Sequence, residues 1–437
     1  VKARARSLVL AAATGLCMLA APRAAGAFVW PNVSVEVERA LQGGDVVERR
    51  AAAARLRELA PETTVRLGQL AMGDPDVEVR LRAAQAVTLL RVPRAGDWVV
   101  GWLAEGDARL RLAACEVIHA GPTERSVAAL GRVLGDPDAH VRLAAAGAMG
   151  GAALPAAVSP LLGHLDDPAP EVRAEVARAL GRIGDARAVL PLVGKVQDSV
   201  PEVRRVVARA LGELGDARAV GALTMALGDA SAEVRVDAVT ALGRLRADEA
   251  TIALAPLAEQ DVVEVAPATQ GRPATTSSAA GEVRAAALRA LGAIGSDAAI
   301  KVLVGALAKE DPAGARRPAR AALVAAGKPA VRPLVAVLEG APSPNAAAGA
   351  ALALGELGAR EGEAPIARAM ARGALPLRHG LAALAALGST SALPSVLELF
   401  SDADPAVRKE AIAAASALLD TAGGDGRAVD PAIAALR

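Results

Sequence analysis

Residues 167–197 read DPAPEVRAEVARALGRIGDARAVLPLVGKVQ, and in that stretch two helices are legible together with the turns that end them. In the first half, Val172, Val176, Ala179, Leu180 and Ile183 recur at helical spacing and form one apolar stripe. Gly184 supplies the left-handed residue that closes a helix, and Asp185 stands where a carboxylate caps the next one. A second helix is predicted over about 186–196, with Val189, Leu190, Leu192 and Val193 apolar. Asp198 opens the next stretch. Pro201 falls in its first helical turn, where the missing N–H costs nothing.

The stretch is one copy of a repeat. A Val-Arg or Leu-Arg pair returns at Arg80, Arg111, Arg142, Arg173, Arg204 and Arg235, each step being 31 residues. Arg49 stands one step earlier. Arg284 follows Arg235 by 49, one period plus an insertion of 18; Arg316, Arg378 and Arg408 continue the series, with one degenerate unit near Ala347. The count is 12 units. A pair of helices this short cannot bury its apolar face alone, whereas stacked copies can. The expected fold is therefore all-α, an α-solenoid: a superhelix of about 12 two-helix repeats. Ala177, Ala179, Ala208, Ala210, Ala238 and Ala241 allow the close helix approach that such a stack needs.

Composition narrows the function. The 437 residues hold 49 Lys+Arg and 48 Asp+Glu, and aromatic residues make 1%. Near-zero charge argues against a bulk-charge nucleic-acid binder, and the scarcity of rings argues against base stacking. Two cysteines cannot staple a scaffold. At the N-terminus Lys2, Arg4 and Arg6 precede an apolar run, 8–21, and the small residues Ala25-Gly26-Ala27. These three regions read as a secretory signal peptide, 1–27, whose apolar run of 14 residues is too short to span a bilayer. Its removal takes Lys2, Arg4, Arg6 and Arg23 and no acid, shifting the formal charge from +1 to −3. The expected location is extracytoplasmic, periplasmic or secreted. No second long apolar run is present, so no membrane span is expected.

The pattern Asp-Pro-x-x-x-(x)-Val-Arg-x-x-Ala-x-x-Ala-Leu-Gly-x-Leu/Ile-Gly-Asp, best at 167–185, 198–216 and 229–245, resembles the HEAT-repeat proteins, in particular the short subtype named after phycobilisome lyases. The resemblance covers about 43–437. It implies a HEAT-like solenoid and says little of function, because the architecture is widely reused. It also implies a role for the pairs Asp74/Arg80, Asp136/Arg142, Asp167/Arg173, Asp198/Arg204, Asp229/Arg235 and Asp402/Arg408. In the family such pairs resemble a ladder, with each aspartate bonding helix N–H groups and a neighbouring arginine. The family's di-iron hydroxylases carry His-Glu dipeptides; here His119, His140, His164 and His379 are followed by Ala, Val, Leu and Gly.

No catalytic, metal or cofactor residue is expected. The four histidines share no phase of the repeat, and H-E-x-x-H, C-x-x-C, G-x-S-x-G and phosphate-loop motifs are lacking. Cys115 reads as a small buried side chain. Trp98 and Trp102, one turn apart, read as fillers of a thin alanine core or as an anchor for a partner. Residues five and nine beyond the repeat arginines should face outward on the helix that lines a solenoid's concave side. There Arg178, Arg182, Arg209, Arg244 and Arg289 would form a basic patch for another protein or an acidic peptide.

The expected organisation is 1–27 signal peptide, 28–261 and 282–437 repeats, and 262–281 a flexible insertion loop inside a unit. The expected function is an exported, non-catalytic, monomeric scaffold that binds protein through its concave surface. The alternatives are bilin lyase-like chromophore attachment, suggested by the family name, a chaperone subunit, or a structural envelope component.

Overall fold

The computed structural model describes residues 33–259, 279–308, 316–340, 343–389 and 392–421, and the described residues contain helices and turns but no strand. The signal-peptide reading of 1–27 lies outside them. The chain divides into two compact units, Val1–Pro160 and Leu161–Arg437.

Every repeat arginine marks the first helix of a pair. In the first unit these helices are Val46–Arg55, Val77–Leu89, Ala108–Ala120 and Ala139–Ala152. In the second they are Pro170–Ile183, Pro201–Leu214, Ala232–Arg244, Ala279–Ile294, Arg316–Ala326, Pro344–Glu356, Leu377–Leu387 and Pro405–Thr421. Within each unit every first helix packs on the next first helix, which is the stacking of an α-solenoid. The degenerate copy is real: Pro344–Glu356 is a first helix with buried Ala347 in the arginine's place.

The second helix of the sequence's clearest repeat is shorter than expected. In the quoted stretch a 3-10 turn, Ala186–Ala188, leads into a single short helix, Val189–Val193. Asp185 caps the turn, its side chain accepting the Arg187 N–H at 2.9 Å. The insertion also sits differently from expectation. The second helix Thr251–Glu259 precedes it, and its last three residues open the first helix Ala279–Ile294. It therefore separates two repeats and does not interrupt one. The rest of it lies outside the described residues.

Adjacent first helices meet along a seam of small residues. A Cβ built on Gly181 would stand 2.9 Å from the Ala210 Cα; on Gly212, 2.8 Å from that of Ala241; on Gly243, 2.8 Å from that of Ala290. Each glycine lies eight beyond its repeat arginine, and each alanine six beyond the next. Backbone approaches backbone here, so no larger residue fits without displacing a helix.

The arginine–aspartate ladder is present, and its rungs run between repeats. Arg173 Nε and Nη2 donate to Asp198 Oδ2 and Oδ1, both at 2.8 Å. Arg204 reaches Asp229 in the same two-pronged way at 2.7 and 2.8 Å. In the first unit Arg49 pairs with Asp74 and Arg111 with Asp136. The third nitrogen turns back to its own repeat: Arg173 Nη1 donates to the Asp167 carbonyl at 2.9 Å, and Arg204 Nη1 to that of Asp198 at 2.8 Å. Aspartate and arginine six apart thus meet through the aspartate's backbone carbonyl, while its carboxylate serves the preceding repeat's arginine. The carboxylate also accepts the N–H two residues on, as Val200 N–H donates to Asp198 and Ser231 N–H to Asp229. One rung differs. Arg80 meets Glu105 at 3.0 Å and lies over the Trp102 ring, 4.5 Å from its centroid.

Two measurements test these devices. Arg204→Ala should lower stability by about 2 kcal/mol. Its bond with Arg204 holds Asp229 below the usual carboxylate range, so this stabilisation is present above the unfolded pKa, about 4, and lost as pH falls through the lowered folded value. Urea titrations should show the deficit of the variant at pH 7 shrinking below pH 4; an equal deficit at both would sink the ladder reading. Second, the residue eleven beyond the repeat arginine ends the first helix left-handed. It is glycine at Gly184 and Gly215, but Arg246 at φ 49°. Arg246→Gly should raise stability by about 1 kcal/mol in the same assay.

Candidate functional site

The second unit exposes one face of its stacked first helices. Arg178, Arg209, Thr240 and Arg289, five beyond their repeat arginines, are exposed or half-buried, as are Arg182, Glu213 and Arg244 nine beyond. The apolar stripe of each helix is turned into the stack, with Val176, Ala179 and Leu180 fully buried in Pro170–Ile183. The phase read from the sequence therefore puts these side chains where a partner can reach them.

The patch is not purely basic. Arg209 pairs with Asp237 of the next first helix at 2.9 Å, and Arg205 reaches the same carboxylate at 4.0 Å. Arg205 also bonds Glu202 at 2.7 Å, Arg178 bonds Glu175, and Arg244 lies 3.9 Å from Glu213. Arg178, Arg209 and Arg244 are thus matched by carboxylates, whereas Arg182 and Arg289 make no ion pair among the described residues. The hydrogen bond from Arg205 holds the Glu202 carboxyl below its usual range. The face is an alternating field of both signs, suited to a partner with its own alternating charges more than to a uniformly acidic one. Glu175 and Asp237 escaped the sequence reading, which followed arginine phases only. Both stand two residues beyond a repeat arginine, a phase that would have found them.

The remaining candidates are separate. His119 is exposed, with Nδ1 3.3 Å from the Gly147 carbonyl oxygen, and His140 sits exposed in the first turn of its helix. His379 is half-buried, and burial lowers its pKa, aided by Arg378 and Arg320. Among the described residues no three His, Cys, Asp or Glu gather as a metal site. Cys115 is fully buried, and burial pushes its thiol up to about 12. At neutral pH it is a protonated core side chain. Trp102 is buried beneath Arg80, so of the two readings of the Trp pair it takes the packing one. No single described helix is long and apolar enough to cross a membrane.

Comparison with known proteins fits this geometry. A family model for HEAT repeats matches residues 97–169, 127–200 and 190–270, and a model for the PBS lyase HEAT-like repeat matches 283–309. No curated protein matches the sequence. Among solved structures, Kap95p in its complex with RanGDP is 14% identical, with a TM-score of 0.51 over 91% of this chain and 65% of that one. YibA of E. coli is 16% identical at a TM-score of 0.42, covering 62% of this chain and 95% of that one. The CpcE–CpcF phycocyanin lyase complex of Nostoc sp. PCC7120 is 20% identical at 0.34, covering 54% and 91%. These likenesses concern the fold.

The state of Cys115 is directly measurable. In the native chain at pH 8 it should resist iodoacetamide, and become alkylated on unfolding in urea. Rapid alkylation of the native protein would contradict a buried, protonated thiol.

Proposed function

Because the chain is a HEAT-repeat protein, we propose that it works as an exported, non-catalytic scaffold that holds another protein along the exposed face of its first helices. The observation that carries this is the outward-facing set of Arg178, Arg182, Arg209, Arg244 and Arg289 with the interleaved Glu175, Glu202, Glu213 and Asp237. Charges of both signs on one exposed face supply register and on-rate to a macromolecular partner. Kap95p, a solenoid of similar fold, binds a protein, RanGDP. Export rests on residues 1–27, whose basic, apolar and small-residue regions are those of a signal peptide.

The match of 283–309 to the PBS lyase HEAT-like repeat favours a second reading, chromophore attachment to a partner protein. One experiment separates the two. The full chain is expressed in its own cell, recovered from the extracytoplasmic fraction, and analysed for its first residue, its retained proteins and its visible absorbance. A scaffold predicts Phe28 as the first residue and one dominant protein, released by salt. The double reversal Arg178→Glu/Arg209→Glu should lose that protein without losing the fold by circular dichroism. Tetrapyrrole absorbance would favour the lyase reading. Recovery in the cytoplasm with residues 1–27 intact would overturn export.

A further inference from the structure

The glycine–alanine seam that closes the second unit's first helices is absent at the start of the first unit. Eight beyond Arg49, where Gly181, Gly212 and Gly243 stand in their repeats, the chain has Arg57. The alanine that should close on that position is Ala86, six beyond Arg80. It is buried. A cleft of about 240 Å³ opens beside it, lined by the buried Ala53 and Ala86 and by Arg57, Arg82, Gln85 and Leu89.

Charge and apolar surface meet at this cleft. Arg57 is exposed and makes no hydrogen bond or ion pair among the described residues; the neighbouring Glu58 faces Arg55 at 3.6 Å. Arg82 is engaged through Nε with Glu78 and through Nη1 with the Arg50 carbonyl. Leu89 on the rim is 73% exposed and Leu90 38%. The helix that carries them ends in Arg91 at φ 47°, the repeat position that Gly184 and Gly215 occupy elsewhere. An uncommitted guanidinium above an apolar floor, beside exposed leucines, complements a carboxylate flanked by apolar side chains.

We infer that this cleft is a peptide-binding notch, taking a protein segment in which a Glu or Asp side chain lies between apolar residues. The inference rests on the scaffold reading and names a second contact for the partner, in the unit Val1–Pro160. The carboxylate enters toward Arg57, and its apolar neighbours lie against Leu89.

The test uses the full chain and two fluorescein-labelled probes, Ser-Leu-Glu-Leu-Ser and Ser-Leu-Gln-Leu-Ser, read by fluorescence anisotropy. The Glu probe should bind about tenfold tighter than the Gln probe, the effect of one charge-assisted pair. Arg57→Gln should remove that preference, Leu89→Ser should weaken both probes alike, and a change at the exposed Arg125, Arg125→Gln, should leave both unchanged. Equal binding of the two probes, or a preference that survives Arg57→Gln, overturns the notch. So does displacement of the Glu probe by sulfate at the probe's own concentration, which would mark a simple anion site. If these probes fail while Arg178→Glu/Arg209→Glu still abolishes partner capture, the notch is wrong and the scaffold reading stands. If capture fails and the Arg57-dependent preference holds, the reverse is true.

Discussion

The stack depends on a guanidinium that touches two turns at once. Two nitrogens of Arg204, as of Arg111 and Arg173, grip the carboxylate of the next repeat, and the third holds a carbonyl of its own. Because the side chains of Arg204 and Asp229 are only 15% and 10% exposed, the pair is partly shielded from water, and leaving either member alone would be costly. The geometry leaves little freedom in the spacing. A repeat that gained a residue between rung arginine and next aspartate would pull one hydrogen-bonded end off its partner. Apolar burial supplies most of the energy, at roughly 1.5–3 kcal/mol per buried leucine or valine, but it has no direction. The rung supplies the register.

Where a rung or a seam departs from type, the departure is local and compensated. Glu105 is a methylene longer than aspartate, and Arg80 meets it while lying on the Trp102 face. The bulky ring fills space that neighbouring repeats fill with alanine and valine. Arg57 is a departure without such compensation, since nothing described pairs with it. The next two repeats also lack the glycine, carrying Thr88 and His119 there, and the repeats of the second unit show what the glycine packing at that position looks like.

Much of this was legible in the sequence. The arginine period set the number and order of the first helices, and Gly184 and Asp185 marked a helix end and a cap that the structure contains. The partner of each aspartate was not legible. Asp198 lies six from Arg204 and 25 from Arg173, and only the stacking of helices decides which side chain it meets. The short second helices were misjudged because Val189, Leu192 and Val196 are apolar at helical spacing, though the helix stops at Val193 and Val196 is buried from a turn. The charged face was half read: its arginines were found by phase, but the acids that neutralise them belong to neighbouring helices or to other phases of the same one.

The junction between Glu259 and Ala279 shows what the covalent chain contributes to such a stack. Ala232–Arg244 packs against Ala279–Ile294, and Arg284 Nε donates to the Ala258 carbonyl at 3.1 Å, across a connection 18 residues longer than its counterparts. Lengthening a loop costs only about 0.6 kcal/mol per doubling, far less than the interface it spans. The flanking helices meet whatever the length of chain that joins them. Neighbouring repeats recognise one another by their surfaces, so a chain built this way can be spliced, lengthened or divided at a junction while each side keeps the complementary face that rejoins it.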